Sequence, residues 1–523
     1  MNLTHVLQRQ VAERPDAPAI VTASRGRDRS ITFAKLDLSA QRLARLLHDS
    51  GLRAGDGVLV LQPVGIDLYV TLLAVFRLGL VGMFLDPSAG RSHVERCCTL
   101  RPPDAMIGTP KAHLLRLGCP ALRRVPRKFV VGAAAPGAVR VARARKLAPY
   151  SDVHRCDADT PALLTFTSGT TGAPKAAVRS HGLLAAQHAA LARCLALSPG
   201  QIDLTTLPVF ALANLASGVT SLVPDADLRR PARIDPGPVV EQVLRHRPQS
   251  TVASPALLER VADECDRRGL TLPSFERVFT GGAPVFLRTV EKLRQMAPAA
   301  RVVSVYGSTE AEPIAHVGHD EVTTDDRAAT LSGRGLLAGR PVPEVDLRIL
   351  PDRWGQPLGQ IDEAAFTSRR LPPGETGEIV VSGAHVLPGY LDGRGDVETK
   401  FRVGGRVWHR TGDAGYLDPA GRLWLAGRCA ARIDDDHGTT YPLSVEAAAV
   451  QQPGVARAGL LSLGSERVLA IESDEGAGCN ERALTEALAW AHLDRVVFTR
   501  IPVDSRHNAK VDYAALRRLL GSA

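Results

Sequence analysis

Leu163–Lys175 reads LLTFTSGTTGAPK. An apolar, β-prone run (Leu163, Leu164, Phe166) leads into an unbroken series of hydroxyl residues and glycines from Thr167 to Gly172, and Pro174 and Lys175 close it. A strand that empties into small hydroxyl residues suits an anion. Gly169 and Gly172 let the backbone turn and bring its N–H groups close to a phosphate. Thr167, Ser168, Thr170 and Thr171 add hydroxyl donors, and Lys175 adds a point charge. A polar surface turn has a similar composition. The length of the run and its place between a strand and a Pro-Lys stop favour the anion cradle. The pattern G-x-x-x-x-G-K-[ST] is absent, so this is not a Walker loop.

Outward from this stretch, strand and helix patterns alternate. FAKLDLSAQRLARLLHDSGL follows Thr32 with apolar residues at helical spacing and stops at a glycine. GVLVLQP reads as a strand, IDLYVTLLAVFRLGL as a buried helix and VGMFLDP as the next strand. Such alternation predicts a doubly wound α/β sheet. Residues 123–153 are rich in Arg, Ala and Pro and read as an exposed connection. Beyond the central loop, helices are expected over 181–197 and 238–247, and VFTGGAPV is a strand running into a Gly-Gly turn. VVSVYGSTEAEP is a β-branched strand ending at Tyr306-Gly307-Ser308-Thr309-Glu310. The glycines of 331–339 lack the spacing and the preceding strand of a dinucleotide fingerprint, and read as a loop. HRTGDAGYLDPAGRLWLAGR is a hairpin turning at Asp418–Gly421 and ending at Arg428. Asp434, Asp435, Asp436 and His437 read as a solvated turn in preference to a metal site.

Composition sets outer bounds. A chain of 523 residues with 45% hydrophobic content holds more than one domain. Its 64 Lys and Arg against 55 Asp and Glu give a net charge of +9. The basic residues are scattered, without an aromatic-interleaved stripe, so they read as a solvated surface and not as a nucleic-acid site. The eight cysteines form no C-x-x-C pair and read as free thiols in a reducing, cytoplasmic setting. Charges at Arg9, Glu13, Arg14 and Asp16 argue against a signal peptide. Asp67, Arg77 and Pro63 break the most apolar region, which reads as core and not as an integral membrane segment.

TSGTTGAPK resembles the signature loop of the adenylate-forming (AMP-binding) superfamily of acyl-CoA synthetases, peptide-synthetase adenylation domains and luciferases. The resemblance runs from about Leu3 to Leu519. It implies an α/β fold with a large N-terminal domain (1–428) of doubly wound α/β subdomains plus a β subdomain. A small mobile C-terminal α+β lid (429–523) follows. It also implies activation of a carboxylic acid by ATP and Mg²⁺ to acyl-AMP.

By that resemblance the nucleotide contacts are the loop residues Thr167–Gly172 with Lys175, then Gly282, Ala283, Tyr306, Gly307, Ser308, Thr309, Asp413 and Arg428. Tyr306 stacks on adenine, Thr309 meets the α-phosphate, Asp413 takes the ribose hydroxyls, and Arg428 reaches ribose or phosphate. Glu310 holds Mg²⁺, and Lys510 is the C-terminal catalytic lysine, acting with Glu310 and Thr167. Phe210, Ala211, Gly281 and Gly282 line the acyl pocket. The family usually places an aromatic residue or His after Phe210, and Ala211 stands there. The family's Asp or Lys hinge past Arg428 is replaced by Cys429-Ala430-Ala431. PVDSRHNAK and GTTYPLSVEA most resemble the branch of olefin-biosynthesis β-lactone synthetases and fatty-acid–CoA-ligase-like enzymes. That branch implies a long-chain or β-hydroxy acid, partner enzymes of a biosynthetic pathway, and either an internal hydroxyl or CoA as second acceptor.

Overall fold

The computed structural model describes residues 2–24, 26–86, 89–168, 174–474, 478–503 and 510–521. The chain forms two compact units: residues 1–225 with 387–396, and residues 226–386 with 397–523. It is a mixed α/β protein with a large sheet-rich N-terminal body and a small C-terminal α+β portion.

In the first unit a seven-stranded sheet runs in the order Val139–Arg140, Arg127–Val130, Ala105–Gly108, Gly57–Leu61, Val81–Phe84, Pro161–Ser168, Pro174–Ser180. All neighbours are parallel except the last pair. The described residues of the central stretch therefore lie on two antiparallel strands at the sheet edge, with Leu164 opposite Val178 and Thr167 opposite Lys175. The Arg127–Val130 strand corrects the expectation of a featureless connection over 123–153. Phe129 and Val130 are buried, and the arginines around so short an apolar pair hide its pattern.

A second group of strands in this unit pairs Ile202–Thr205, Thr220–Val223, Pro18–Ser24 and Arg27–Thr32. The helix Phe33–Asp49 starts where the Thr32 side chain accepts the Lys35 amide, and Phe33, Leu36, Ala40, Leu43 and Leu47 form its buried stripe. The helix Ile66–Arg77 is buried along its length. Arg77, wholly enclosed, donates to Asp37 Oδ1 at 2.6 Å and to the Ser151 carbonyl at 2.9 Å.

In the second unit nine strands follow in the order Asp346–Leu350, Gly377–Ser382, Arg406–Leu417, Leu423–Arg428, Leu336–Pro341, Ala311–Gly318, Arg301–Ser308, Arg277–Gly281, Ser250–Ala253. Residues 331–339 were expected as a loop, but 336–339 belong to the strand Leu336–Pro341. At Gly339 a Cβ would lie 2.1 Å from the His316 carbonyl oxygen, so glycine is what lets the two backbones meet, and it also erases the strand pattern. The C-terminal portion carries a three-stranded sheet, Val455–Leu463, Glu466–Ser473 and Arg495–Phe498, packed with the helices Pro442–Ala449 and Glu481–Ala487. Among the described residues no helix is long and apolar enough to cross a membrane. All eight cysteines are free.

Candidate active site

The expected site residues divide between the two units. In the first, the strand Pro161–Ser168 carries Thr167 and Ser168 to its C-terminal end, and Lys175 opens the return strand. Gly169, Thr170, Thr171 and Gly172 lie outside the described residues. The Lys175 ammonium stands 5.7 Å from the centre of the Tyr390 ring, within reach of a cation–π attraction. Tyr390 is held in turn by Asp396, whose Oδ1 accepts its amide at 2.9 Å, and by a β-bridge to Ala177. No local pattern in the sequence reveals this contact, since it spans more than two hundred residues of chain.

Phe210 and Ala211 lie on the helix Pro208–Ser217, both buried on the face that also carries Asn214. The Asn214 amide donates to Asp203 Oδ2 at 3.1 Å, Thr205 Oγ1 at 2.9 Å and Ser221 Oγ at 3.2 Å, which fixes that face against the sheet. The opposite face, with Val209, Leu212 and Ala216, lines an apolar cleft shared with Leu73, Leu184 and Leu191.

In the second unit the structure joins three expected residues directly. The Tyr306 hydroxyl donates to Asp413 Oδ2 at 2.8 Å, and the Arg428 guanidinium donates to Asp413 Oδ1 at 2.7 Å. Asp413 and Arg428 face each other across adjacent antiparallel strands, so the hairpin turning at Asp418–Gly421 sets their distance. The Asp413 amide donates to Thr411 Oγ1 at 3.1 Å, and the Thr411 hydroxyl donates to the Ile379 carbonyl at 2.9 Å. Burial, and then the Asp413 carboxylate, push the Tyr306 phenol well above its ordinary value. It stays a donor. Asp413 in turn raises Arg428, which stays charged. A carboxylate offers about four lone-pair positions. With phenol and guanidinium on one each, positions remain for the two hydroxyls of a vicinal diol.

Gly307 and Ser308 end the strand Arg301–Ser308, and Thr309 and Glu310 form the turn to the strand Ala311–Gly318. Ser308 Oγ accepts the Glu310 amide at 3.2 Å and the Ala311 amide at 3.3 Å, so its hydroxyl shapes the turn. Thr309 is exposed and Glu310 half-buried. Sequence reading missed two neighbours. His409 and Lys400 face each other across paired strands, and both are buried. Burial first, then Lys400, lower the His409 imidazole to about 3, against the opposing pull of Glu310. The imidazole is neutral at physiological pH.

Gly281 pairs with Val305, and a Cβ there would stand 2.3 Å from the Val305 carbonyl oxygen. Gly282 follows at φ +81°. Only glycine permits this close turn, which Ala283 then leaves.

The segment after Arg428 makes a short 3₁₀ turn, Cys429–Ala431. Arg432 then pairs with Asp352 at 3.2 Å and Asp434 at 2.8 Å, and the Tyr441 hydroxyl donates to Asp352 Oδ2 at 2.9 Å. Asp435 is held by a two-pronged bond from Arg467, at 2.6 Å on each oxygen. Among the described residues no cluster of three or more His, Cys, Asp or Glu could hold a metal. Lys510 is exposed, just ahead of the final helix Tyr513–Gly521.

Comparison with known proteins gives the family of the chain. The AMP-binding enzyme family profile matches residues 7–391. The chain is 32% identical to an olefin β-lactone synthetase of Stenotrophomonas maltophilia (strain K279a), over 98% of this chain and 96% of that protein. It is 28% identical to an indoleacetate–CoA ligase of Aromatoleum aromaticum, over 89% of this chain and 86% of that one. Its fold is similar to that of ATP-bound MatB from Rhodopseudomonas palustris, with a TM-score of 0.80 at 21% identity over 99% of both chains. The chain belongs to the AMP-binding family of adenylate-forming ligases.

Proposed function

We propose that this ligase activates a hydrophobic carboxylic acid, long-chain or β-hydroxylated, to acyl-AMP, and then closes the acyl group on its own β-hydroxyl to give a β-lactone. The observation that carries the first step is the Tyr306–Asp413–Arg428 chain, a preset diol acceptor beside the Glu310 turn. In that step a substrate carboxylate oxygen bonds to the α-phosphorus of ATP, the bond to the β-phosphate breaks, and pyrophosphate leaves. Both reactants are anions and the acid is already ionised, so the demand is charge neutralisation and in-line placement. Asp413 takes the ribose, Tyr306 flanks the base, Thr309 and the Thr167–Gly172 loop face the phosphates, and Lys175 and Lys510 supply positive charge.

Glu310, a half-buried carboxylate, would hold Mg²⁺, a hard cation that needs few protein carboxylates. When bound, Mg²⁺ neutralises phosphate charge there.

In the second step the β-hydroxyl oxygen bonds to the acyl carbon, the acyl–phosphate bond breaks, AMP leaves, and the hydroxyl proton passes to solvent. Similarity over nearly the full chain to an olefin β-lactone synthetase supports this ending. Residues 429–523 serve as the lid that turns between the steps about the 429–432 segment.

A second reading, transfer to CoA, has the CoA-ligase relatives in its favour. Acid-dependent exchange of labelled pyrophosphate into ATP tests the first step. Mass spectrometry of products with and without CoA separates the endings. Loss of water to a lactone supports the first reading, and a thioester formed only with CoA supports the second. No exchange with any fatty, hydroxy-fatty or aryl acid refutes adenylation.

A further inference from the structure

The final helix is tied down at its first residue. The Tyr513 hydroxyl donates to Glu446 Oε1 at 2.7 Å, and the same oxygen accepts the Leu460 amide at 3.0 Å. Glu446 lies on the helix Pro442–Ala449 and is only 4% exposed. Around this bond the chain is closely held. Val511 bridges Val503, the Asp512 amide donates to the Pro502 carbonyl at 2.9 Å, and Asp512 Oδ1 accepts the Ala515 amide at 2.9 Å. Leu516 is fully buried with Leu461, Ala470 and Ile501.

Apolar packing through Leu516 would be enough to dock the helix. A buried carboxylate is an expensive addition, because desolvation opposes its charge. Burial raises the Glu446 carboxyl to about 7, while its two donors pull the other way. The Tyr513 phenol is raised well above its ordinary value by burial and by Glu446, and Arg428 opposes that shift. Arg428 is also the partner of Asp413. The hydroxyl–carboxylate clasp therefore sits within electrostatic reach of the candidate ribose site and three residues from Lys510.

We propose that Tyr513 and Glu446 are positioning residues for Lys510, fixing the start of the final helix so that the Lys510 ammonium meets the reacting carboxylate and α-phosphate. The inference rests on the role given to Lys510 above. A lysine on a loosely held backbone spends little time in one geometry, and small misplacements of a reacting or neutralising group are costly to rate.

The test is a double-mutant cycle on the full chain with Lys510→Ala, Tyr513→Phe and the pair together. Single-turnover acyl-AMP formation is measured below the melting transition of each variant. Tyr513→Phe removes only the hydroxyl. It is expected to lower the adenylation rate about 10-fold with the KM for ATP little changed. In the Lys510→Ala background it is expected to have no further effect, because the group it positions is gone. Consumption of synthetic acyl-AMP is expected to be unchanged by Tyr513→Phe. If Lys510→Ala slows adenylation and Tyr513→Phe does not, the clasp has no positioning role. Equal effects of Tyr513→Phe in both backgrounds also overturn it, since a general loss of structure multiplies regardless of Lys510. If Lys510→Ala leaves adenylation intact, the reading of Lys510 itself fails. Should Tyr513→Phe not fold, Glu446→Gln takes its place in the same cycle, replacing the carboxyl group of the clasp by an amide.

Discussion

Asp413 is where single-residue chemistry is most exposed to test. Both its oxygens are already engaged by Tyr306 and Arg428, so it is held in place before any nucleotide arrives. Asp413→Ala should raise the apparent KM for ATP, read from pyrophosphate exchange, by tenfold or more. Each charge-assisted hydrogen bond lost is worth about 1.5–3 kcal/mol. An unchanged KM would falsify the diol role. Glu446 yields a prediction of a different kind. Its folded-state value of about 7 lies above its ordinary 4.5, so the native protein holds a proton that the unfolded chain has released. The Glu446 contribution to stability is therefore full below the ordinary value and is lost as pH rises towards 7. Glu446→Gln should flatten that part of the stability–pH curve in denaturant titrations, and a curve parallel to the parent's would rule it out. Asp413, Tyr306 and Arg428 were legible in the sequence because each sits in a local motif. Glu446 and Tyr513 were not, because their bond joins positions whose spacing carries no pattern.

The helices and strands that present these residues are held by few but specific contacts. Arg77 and Asp37 join the helices Phe33–Asp49 and Ile66–Arg77 of the first unit through an enclosed ion pair. Removing one partner strands the other charge, so Asp37→Ala should cost about 3–5 kcal/mol by chemical denaturation. Replacing both by apolar residues of similar volume should cost far less. A loss of equal size in both variants would show that packing, and not the stranded charge, sets the cost. Periodicity revealed the first of these helices and its apolar run the second, and the strand–helix alternation revealed the doubly wound class. It failed at Leu336–Pro341, where glycine replaces the side chains that make a strand visible, and at Arg127–Val130, where two apolar residues stand among arginines. The partners of Lys175 and His409 were equally hidden, since no residue spacing announces that Tyr390 and Lys400 meet them.

At the scale of the whole chain, the two chemical steps should separate by mutation. Lys510→Ala should slow acyl-AMP formation by about 10²–10³, the usual worth of one preorganised charge contact. Consumption of synthetic acyl-AMP should survive much better, and equal damage to both halves would contradict a lid that serves them in turn. The segment 387–396 has a further consequence, for synthesis. It belongs to the first unit, yet it follows all of residues 226–386 in the chain. Through the Ala177–Tyr390 bridge it meets the edge strand Pro174–Ser180 at one position. A ribosome that has made residues 1–225 has therefore built a sheet with a bare border, open to pairing with other nascent chains until Tyr390 emerges. Translation speed across residues 226–386 then becomes a determinant of yield. Expressing the first 225 residues alone should give aggregated protein.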